Sequence, residues 1–213
     1  GPILFFLSVE HGVAFGAPAA FGSSIALFST VLFALVYAWL ARRWPWPPCL
    51  LVAYLVWIVN LFWMRALPHV AWVAVALPVS GLLLGPRLLP KLSAPRSPSP
   101  PPVWDLPARM TATAALVLTI TGLASWLGPT LSGLLTPLPC ATTVLTLFHH
   151  AQEGPDSVAR LYRGLFQGLY SFVTFCVTAG LVLPAMGIGA GFAVATISGL
   201  ACHGVVLWLT RSR

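Results

Sequence analysis

Apolar stretches of about 20 residues, the length that a membrane-spanning helix needs, follow one another along almost the whole of this chain. Only 7% of the 213 residues are charged and 58% are hydrophobic, whereas a soluble domain carries about 25% charged residues. These proportions exclude a soluble domain and a disordered or fibrous chain. We therefore predict an all-α fold, a polytopic transmembrane helix bundle whose main partner is the lipid bilayer.

Glycine, proline and charged residues divide the apolar sequence into a short opening run and seven predicted helices. The opening run ends at Glu10 after about ten residues, half of what a span needs. We interpret it as the second half of a helix; a purification-tag remnant at Gly1-Pro2 is the alternative. The seven predicted helices cover 17–41, 47–64, 69–88, 107–127, 130–153, 156–183 and 186–209.

A proline-rich stretch separates two groups of predicted helices. It includes residues 98–102, Pro-Ser-Pro-Pro-Pro, which cannot form a helix and are typical of an extended, solvated linker. We therefore predict a first membrane unit over 1–88, a cytoplasmic linker over 89–106, and a second membrane unit over 107–213.

The positions of the basic residues predict the orientation in the membrane. The chain has 11 Lys and Arg residues against 4 Asp and Glu. When successive helices alternate in direction, every basic residue except Arg65 falls on one face. Cytoplasmic loops carry such an excess, so we predict that the linker and the C-terminus are cytoplasmic. Because the basic residues are scattered between apolar runs and form no single patch, we predict no nucleic-acid partner.

A weak internal repeat connects the two halves of the chain. A shift of 142 residues carries Gly12 onto Gly154. It also carries Gly22 onto Gly164, and in both halves an apolar helix ends in a polar tip just before the first of these glycines. The charge pattern places the first tip outside and the second in the cytoplasm, because the extra helix at 69–88 reverses the second copy. We therefore predict an inverted-topology internal repeat, the common architecture of secondary transporters; an old duplication that persists because it packs well is the alternative.

The second half also carries a short motif of a known family. The motif residues are Ser132-Gly133-Leu134-Leu135, Pro139, Gln152-Glu153-Gly154 and Asp156. Through them the chain resembles the GlpM-type family of small bacterial inner-membrane proteins, with one four-helix family unit over about 107–209. The resemblance implies a multi-pass protein of the bacterial cytoplasmic membrane whose first half is a second unit without its opening helix. It implies no particular reaction or active site.

Polar residues within the apolar segments are the candidates for a solute path. Pro137 and Pro139 break a predicted helix and free backbone carbonyls, as in the broken helices at which transporters bind substrate. A kink that the neighbouring threonines satisfy is the alternative. Asn60 and His203 lie inside predicted helices, where one interhelical hydrogen bond would also account for each. The candidate path comprises Thr136, Pro137, Pro139, Thr142, Thr143, Thr146, Asn60 and His203.

A second group of polar residues lies at the two helix tips. Either they gate a path or handle protons, or they are solvated helix ends. His149 and Glu153 are four residues apart and share one helix face, whereas His150 points about 100° away from His149. We therefore predict no metal site here. The candidate gate residues are Glu10, His11, His149, Gln152 and Glu153.

The sequence contains no serine-hydrolase, zinc-protease or phosphate-binding motif and no paired carboxylates within the predicted helices, so we predict neither an enzyme nor a bound cofactor. The favoured hypothesis is a secondary-transporter-like carrier of a small solute. The alternative is a non-transporting scaffold or a partner subunit of a membrane complex, and a homo-oligomer is compatible with both. The carrier predicts a hydrated cavity near Pro139, and the scaffold predicts a dry core.

Overall fold

The computed structural model describes residues 2–64, 66–93, 104–115, 118 and 140–211. Helices account for most of these residues and no β-strand occurs among them, which confirms the predicted all-α fold. The helices are α1 (Pro2–His11), α2 (Val13–Leu40), α3 (Trp46–Met64), α4 (Ala71–Leu88), α5 (105–115), α6 (Cys140–Glu153) and α7 (Pro155–Arg211).

Four of these helices, α2, α3, α4 and α7, are long and apolar enough to cross a membrane, which is compatible with an integral membrane protein. α7 has 57 residues and is kinked at Gly187, where φ is 72° and ψ is −179°. The sequence predicts separate helices over 156–183 and 186–209, and the structure joins them through this single residue. α6 has 14 residues; residues 130–139 of the predicted helix 130–153 lie outside the described residues.

Two other glycines form the tight turns between consecutive helices. Gly12, with a φ of 82°, separates α1 from α2, and Gly154, with a φ of 84°, separates α6 from α7. A residue with a Cβ atom is strained at such φ values, so glycine permits the chain to start a new helix immediately after the old one ends.

Each of these two glycine turns closes an antiparallel helical hairpin. In the first hairpin Ser8 of α1 lies against Gly16 of α2. In the second, Thr146 Oγ1 of α6 lies 3.0 Å from Tyr162 OH of α7. α1 has 10 residues, a length of about 15 Å, so it covers only one end of the long helix that follows it.

The Gly187 kink divides α7 into a first arm, 155–186, and a second arm, 188–211. The centre of the bundle is the antiparallel pair of α2 and the first arm of α7. Gly16 of α2 lies beside Leu183 of α7, and the Tyr37 ring of α2 is 6.4 Å from the Tyr162 ring of α7. α2 also packs against α1, α3 and α4. Because the pair is antiparallel, the two glycine turns lie at opposite ends of the bundle.

Small residues line much of the contact between α2 and α7. Ala20 and Ala34 of α2 and Ala179 of α7 have no exposed surface. Gly180 of α7 has the Phe21 ring directly against its Cα, so that an added Cβ would lie 2.5 Å from a ring carbon. Close helix approach through small residues is the usual packing of membrane helices, where dispersion contacts replace the hydrophobic effect.

The end of α4 and the first residues of the predicted linker are attached to the bundle. Trp39 of α2, Arg42 in the turn just after α2, and Arg163 of α7 donate hydrogen bonds to backbone carbonyls within residues 88–91. These contacts satisfy carbonyls that have no helical partner after α4 ends. Residues 94–103 of the predicted linker lie outside the described part of the chain.

Candidate functional site

α6 carries most of the polar residues that the sequence analysis selects. They are Thr142, Thr143, Thr146, His149, His150, Gln152 and Glu153. The helical period places Thr143, Thr146 and His150 on one face. His149 and Gln152 lie on an adjacent face, and Glu153 lies at the edge between the two; the two faces have different partners.

The first face is buried, and its hydroxyls are paired with tyrosines of two other helices. Thr146 is fully buried, and its Oγ1 donates to Tyr162 OH of α7 at 3.0 Å. Thr143 is 3% exposed, and its Oγ1 lies 2.5 Å from Tyr54 OH of α3. α6 is therefore joined to the helices on both sides of it by hydrogen bonds between hydroxyl groups.

His150 extends this arrangement to α2. Its Nδ1 lies 3.0 Å from Tyr37 OH, and the two rings meet edge to face with centroids 5.7 Å apart. Burial lowers the pKa of His150, so the neutral imidazole is favoured near pH 7. The hydroxyl cluster is defined as Tyr37, Tyr54, Thr143, Thr146, His150 and Tyr162.

The second face of α6 contains a histidine–carboxylate pair. His149 Nδ1 lies 2.6 Å from Ser157 Oγ and 3.3 Å from a carboxylate oxygen of Glu153. Ser157 Oγ in turn donates to Glu153 Oε2 at 2.8 Å. Burial lowers the pKa of His149, although the charge of Glu153 opposes this shift. The spacing of His149 and Glu153 predicts that they share a helix face, and the structure brings them into direct contact. Ser157 binds both and links α6 to the first turn of α7.

Gln152 joins the same face to α5. Its Nε2 donates to Asp105 Oδ1 at 2.8 Å, and Asp105 Oδ2 is 2.8 Å from Arg109 Nε. Arg109 also lies over the ring of Phe148, 5.5 Å from its centroid. Burial raises the pKa of Asp105, but the hydrogen bonds of Gln152 and Arg109 outweigh it and lower the pKa overall. The carboxylate is therefore ionised at neutral pH.

The two candidate path residues inside the spanning helices, Asn60 and His203, each bind a serine. Asn60 Oδ1 of α3 accepts a hydrogen bond from Ser29 Oγ of α2 at 2.7 Å. His203 Nδ1, in the second arm of α7, lies 3.2 Å from Ser171 Oγ in the first arm. Each contact is the single interhelical hydrogen bond that the sequence analysis gives as the alternative to a solute-binding role.

The remaining predicted site residues do not join the cluster. Glu10 and His11 are at the Gly12 turn, where His11 Nδ1 lies 4.0 Å from Glu10 Oε2 and both side chains are largely exposed. That turn is at the opposite end of the bundle from α6, so the two groups of tip residues lie apart. Thr142 is half-buried on α6. Thr136, Pro137 and Pro139 lie outside the described residues.

The sequence analysis did not select the tyrosines, although three of the four in the chain belong to the hydroxyl cluster. A signal was present, because a tyrosine within a long apolar run needs a partner for its hydroxyl group. Tyr37 and Tyr54 both lie in such runs. The partner helix, however, cannot be read from periodicity, since apolar residues occupy every face of α2 and α3.

Within the described ranges, no group of three or more His, Cys, Asp or Glu side chains is placed to hold a metal ion. The cluster around α6 instead offers hydroxyl and imidazole groups on one face, and an imidazole, an amide and a carboxyl group on the other. Such groups bind solutes through hydrogen bonds and can exchange protons. The chain matches no protein-family model, no curated protein and no solved structure.

Proposed function

We propose that this protein is a secondary-transporter-like carrier of a small solute, built from two helical units of opposite orientation. The observation that carries the proposal is the correspondence between the two units under the shift of 142 residues. The shift carries His11, where α1 ends, onto Glu153, where α6 ends. It carries the first residue of α2, Val13, onto the first residue of α7, Pro155.

The correspondence continues into the third helix of each unit. α3 begins at Trp46, and the same shift leads to Ile188, the first residue after the Gly187 kink. Unit one is then α1, α2 and α3, and unit two is α6 and the two arms of α7. The central helices of the units are antiparallel, as they must be if the units have opposite orientation in the membrane.

Two part-buried polar contacts follow the same relationship. The shift carries Ser29 onto Ser171, and it carries Asn60 to within one residue of His203. In both units, therefore, a serine of the central helix binds a polar side chain of the third helix. These pairs support a common ancestry of the units more strongly than apolar identities do, since apolar residues coincide easily.

Opposite units of nearly equal packing allow a molecule to open first to one side and then to the other. The hydroxyl cluster is suited to such a change. Its contacts join α6 of unit two to α2 and α3 of unit one through Tyr37–His150 and Tyr54–Thr143. A hydrogen bond of this kind contributes only about 0.5–1.5 kcal/mol net, because water or a polar solute can replace either partner.

The GlpM-type resemblance and the positive charge of one face lead us to place this carrier in the bacterial cytoplasmic membrane, with its C-terminus inside. A second candidate is the non-transporting scaffold. It is favoured by the contact between α2 and α7, where Ala20 and Ala179 leave no exposed surface. A scaffold would need no solute path and would keep this contact closed.

Sided labelling tests the opposite orientation of the units. Single cysteines are introduced as His11→Cys and Glu153→Cys, two exposed tip positions related by the shift, into a chain whose four native cysteines are replaced by alanine. In intact cells, an impermeant thiol reagent is expected to label His11→Cys directly and Glu153→Cys only after the membrane is opened. Labelling of both from the same side would overturn the opposite orientation and, with it, the proposed carrier.

A further inference from the structure

A groove of about 510 Å³ lies between α2, α7 and the segment that leads into α4. It is at the same end of the bundle as the Gly12 turn. Its walls include Phe21 of α2 and His69, whose ring rests on α2 because Gly22 has no side chain there. The volume is in the range of small-molecule sites, and the groove is open to the surroundings.

Two prolines face each other across this groove and leave two carbonyls without their helical donors. Pro18 of α2 has no N–H to donate to the carbonyl of Ala14, and Pro184 of α7 has none for the carbonyl of Gly180. All four residues line the groove. The antiparallel packing of α2 and α7 brings these positions to the same level, although they come from different units.

A third proline shows how this protein satisfies such a carbonyl when the site is structural. Pro78 of α4 frees the carbonyl of Ala74, and Ser24 Oγ of α2 donates to that oxygen at 2.6 Å. No side chain in the described part of the chain donates to the carbonyl of Ala14 or of Gly180. In membrane helices, the carbonyl that a proline leaves free usually accepts a hydrogen bond from a nearby serine or threonine. No serine or threonine lines this groove.

The corresponding positions of the other unit carry cations. The shift of 142 residues leads from Pro18 to Arg160 and from Phe21 to Arg163, and the reverse shift leads from Pro184 to Arg42. Where one end of the bundle presents free carbonyl oxygens, the other presents guanidinium groups. Arg42 and Arg163 are engaged in hydrogen bonds to residues 88–91. The Gly12 end, which holds the groove, is therefore the electron-rich end of the bundle.

From these observations we propose that the groove binds a primary organic ammonium ion. The ammonium group has three N–H donors, and the groove offers three acceptors: the carbonyls of Ala14 and Gly180 and a ring nitrogen of His69. The ring of Phe21 is beside them and attracts a cation by its π face. The apolar remainder of the groove accommodates a short hydrocarbon chain. The inference rests on the proposed carrier and names its solute class and point of entry.

The donor count favours an ammonium ion over other cations. A hard metal ion such as Ca²⁺ takes six to eight oxygen ligands, whereas the groove offers two free carbonyls. A quaternary ammonium ion has charge but no N–H donor, so it cannot use the carbonyls. A neutral alcohol has one donor and would leave one of the carbonyls unpaired.

Calorimetric titration of the full chain in detergent with n-butylammonium chloride tests the site. Pro18→Ala and Pro184→Ala each restore the N–H that pairs with the helix carbonyl, and alanine is the residue that helices accept best, so these variants retain the fold. Each is expected to raise the Kd by roughly tenfold or more, the effect of losing one charge-assisted hydrogen bond. Pro78→Ala is the matched control and is expected to leave the Kd unchanged.

Two comparison ligands complete the binding experiment. Tetramethylammonium and n-butanol are expected to bind at least roughly tenfold more weakly than n-butylammonium, because each lacks either the donors or the charge. Absence of saturable n-butylammonium binding would overturn the proposal. So would equal affinity in the wild type, Pro18→Ala and Pro184→Ala, which would show that the carbonyls take no part.

Uptake of labelled n-butylammonium into proteoliposomes separates this inference from the proposed function. Saturable binding that both proline variants weaken, without uptake, would retain the site and overturn the carrier. Uptake that the proline variants leave unchanged would retain the carrier and overturn the site. Uptake by the wild type with loss in both proline variants, but not in Pro78→Ala, is the result expected if both hold.

Discussion

Ser29 Oγ of α2 donates a hydrogen bond to Asn60 Oδ1 of α3 at 2.7 Å, inside two of the helices that are long and apolar enough to span a membrane. Ser29 has no exposed surface. Away from water, an asparagine amide that lost this contact would have no solvent to replace it. The contact therefore fixes α3 against α2 at a defined rotation, and its counterpart Ser171–His203 does the same for the two arms of α7.

We expect Ser29→Ala to lower the free energy of unfolding by roughly 0.6 kcal/mol, the average for a hydrogen bond between membrane helices. This change in the free energy of unfolding is measured by unfolding the protein in mixed micelles of a mild detergent and dodecyl sulfate. A double-mutant cycle with Asn60→Ala isolates the pairwise energy. If Ser29→Ala costs as much in the Asn60→Ala background as in the wild type, the bond contributes nothing to stability.

The pH dependence of stability is expected to involve His150. Because burial lowers its pKa in the folded protein, the unfolded chain binds a proton more readily as the pH falls through about 6.5. Stability is then present in full above that pH and decreases below it. Burial also lowers the pKa of His149, and the sign of its effect is the same.

His150→Gln is expected to flatten the dependence between about pH 7.5 and pH 5.5, since the glutamine keeps a polar group near Tyr37 but does not titrate. Thermal unfolding followed by tryptophan fluorescence at several pH values measures the slope. The matched variant His149→Gln isolates the contribution of His149 to the slope of stability against pH. An unchanged slope in both variants would show that neither imidazole is kept neutral by burial.

The sequence identified Asn60 and His203 as polar residues within apolar helices but not what they bind. Asn60 and His203 stand out because they interrupt apolar runs, and the length of those runs places both residues in helices. Their serine partners do not stand out, because a serine in a helix commonly bonds to the carbonyl four residues earlier. Ser8 and Ser23 do this in the present structure. Which serines turn to a neighbouring helix depends on the packing.

The positions of the turns were more accessible to prediction than the polar contacts. Glycine beside a polar tip marked the Gly12 and Gly154 turns, since few other residues permit a positive φ. The break between the predicted helices 156–183 and 186–209 falls at residues 184–185, whereas the structure has one helix with a kink at Gly187. A proline removes one hydrogen bond and still fits within a helix when a neighbouring helix supports it, whereas the conformation of Gly187 departs from the helix altogether.

The contact between α4 and α7 is expected to be sensitive to one methyl group. A Cβ atom added to Gly85 would lie 2.8 Å from a ring carbon of Phe166, and this phenylalanine is fully buried. Gly85→Ala is therefore expected to lower the free energy of unfolding by about 1–3 kcal/mol. Gly168→Ala, where an added Cβ meets no atom within 4 Å, is the control. Equal stability of the two variants would show that Phe166 moves aside without cost.

The kink at Gly187 is expected to depend on backbone conformation alone. Its φ of 72° and ψ of −179° lie in a region that is accessible essentially to glycine, and an added Cβ would meet no atom within 4 Å. Gly187→Ala is therefore expected to cost about 1–3 kcal/mol of stability without any steric clash. The cost arises because the alanine favours a helical conformation, which would straighten α7 and separate its two arms.

Gly189→Ala provides the matched control, two residues along the same helix. An added Cβ there also meets no atom within 4 Å, but φ of Gly189 is not positive. Alanine in an ordinary helical position is expected to stabilise by about 0.4–1 kcal/mol. The two variants should therefore shift the unfolding midpoint in opposite directions. Shifts of the same sign and size would mean that α7 does not require the glycine conformation at residue 187.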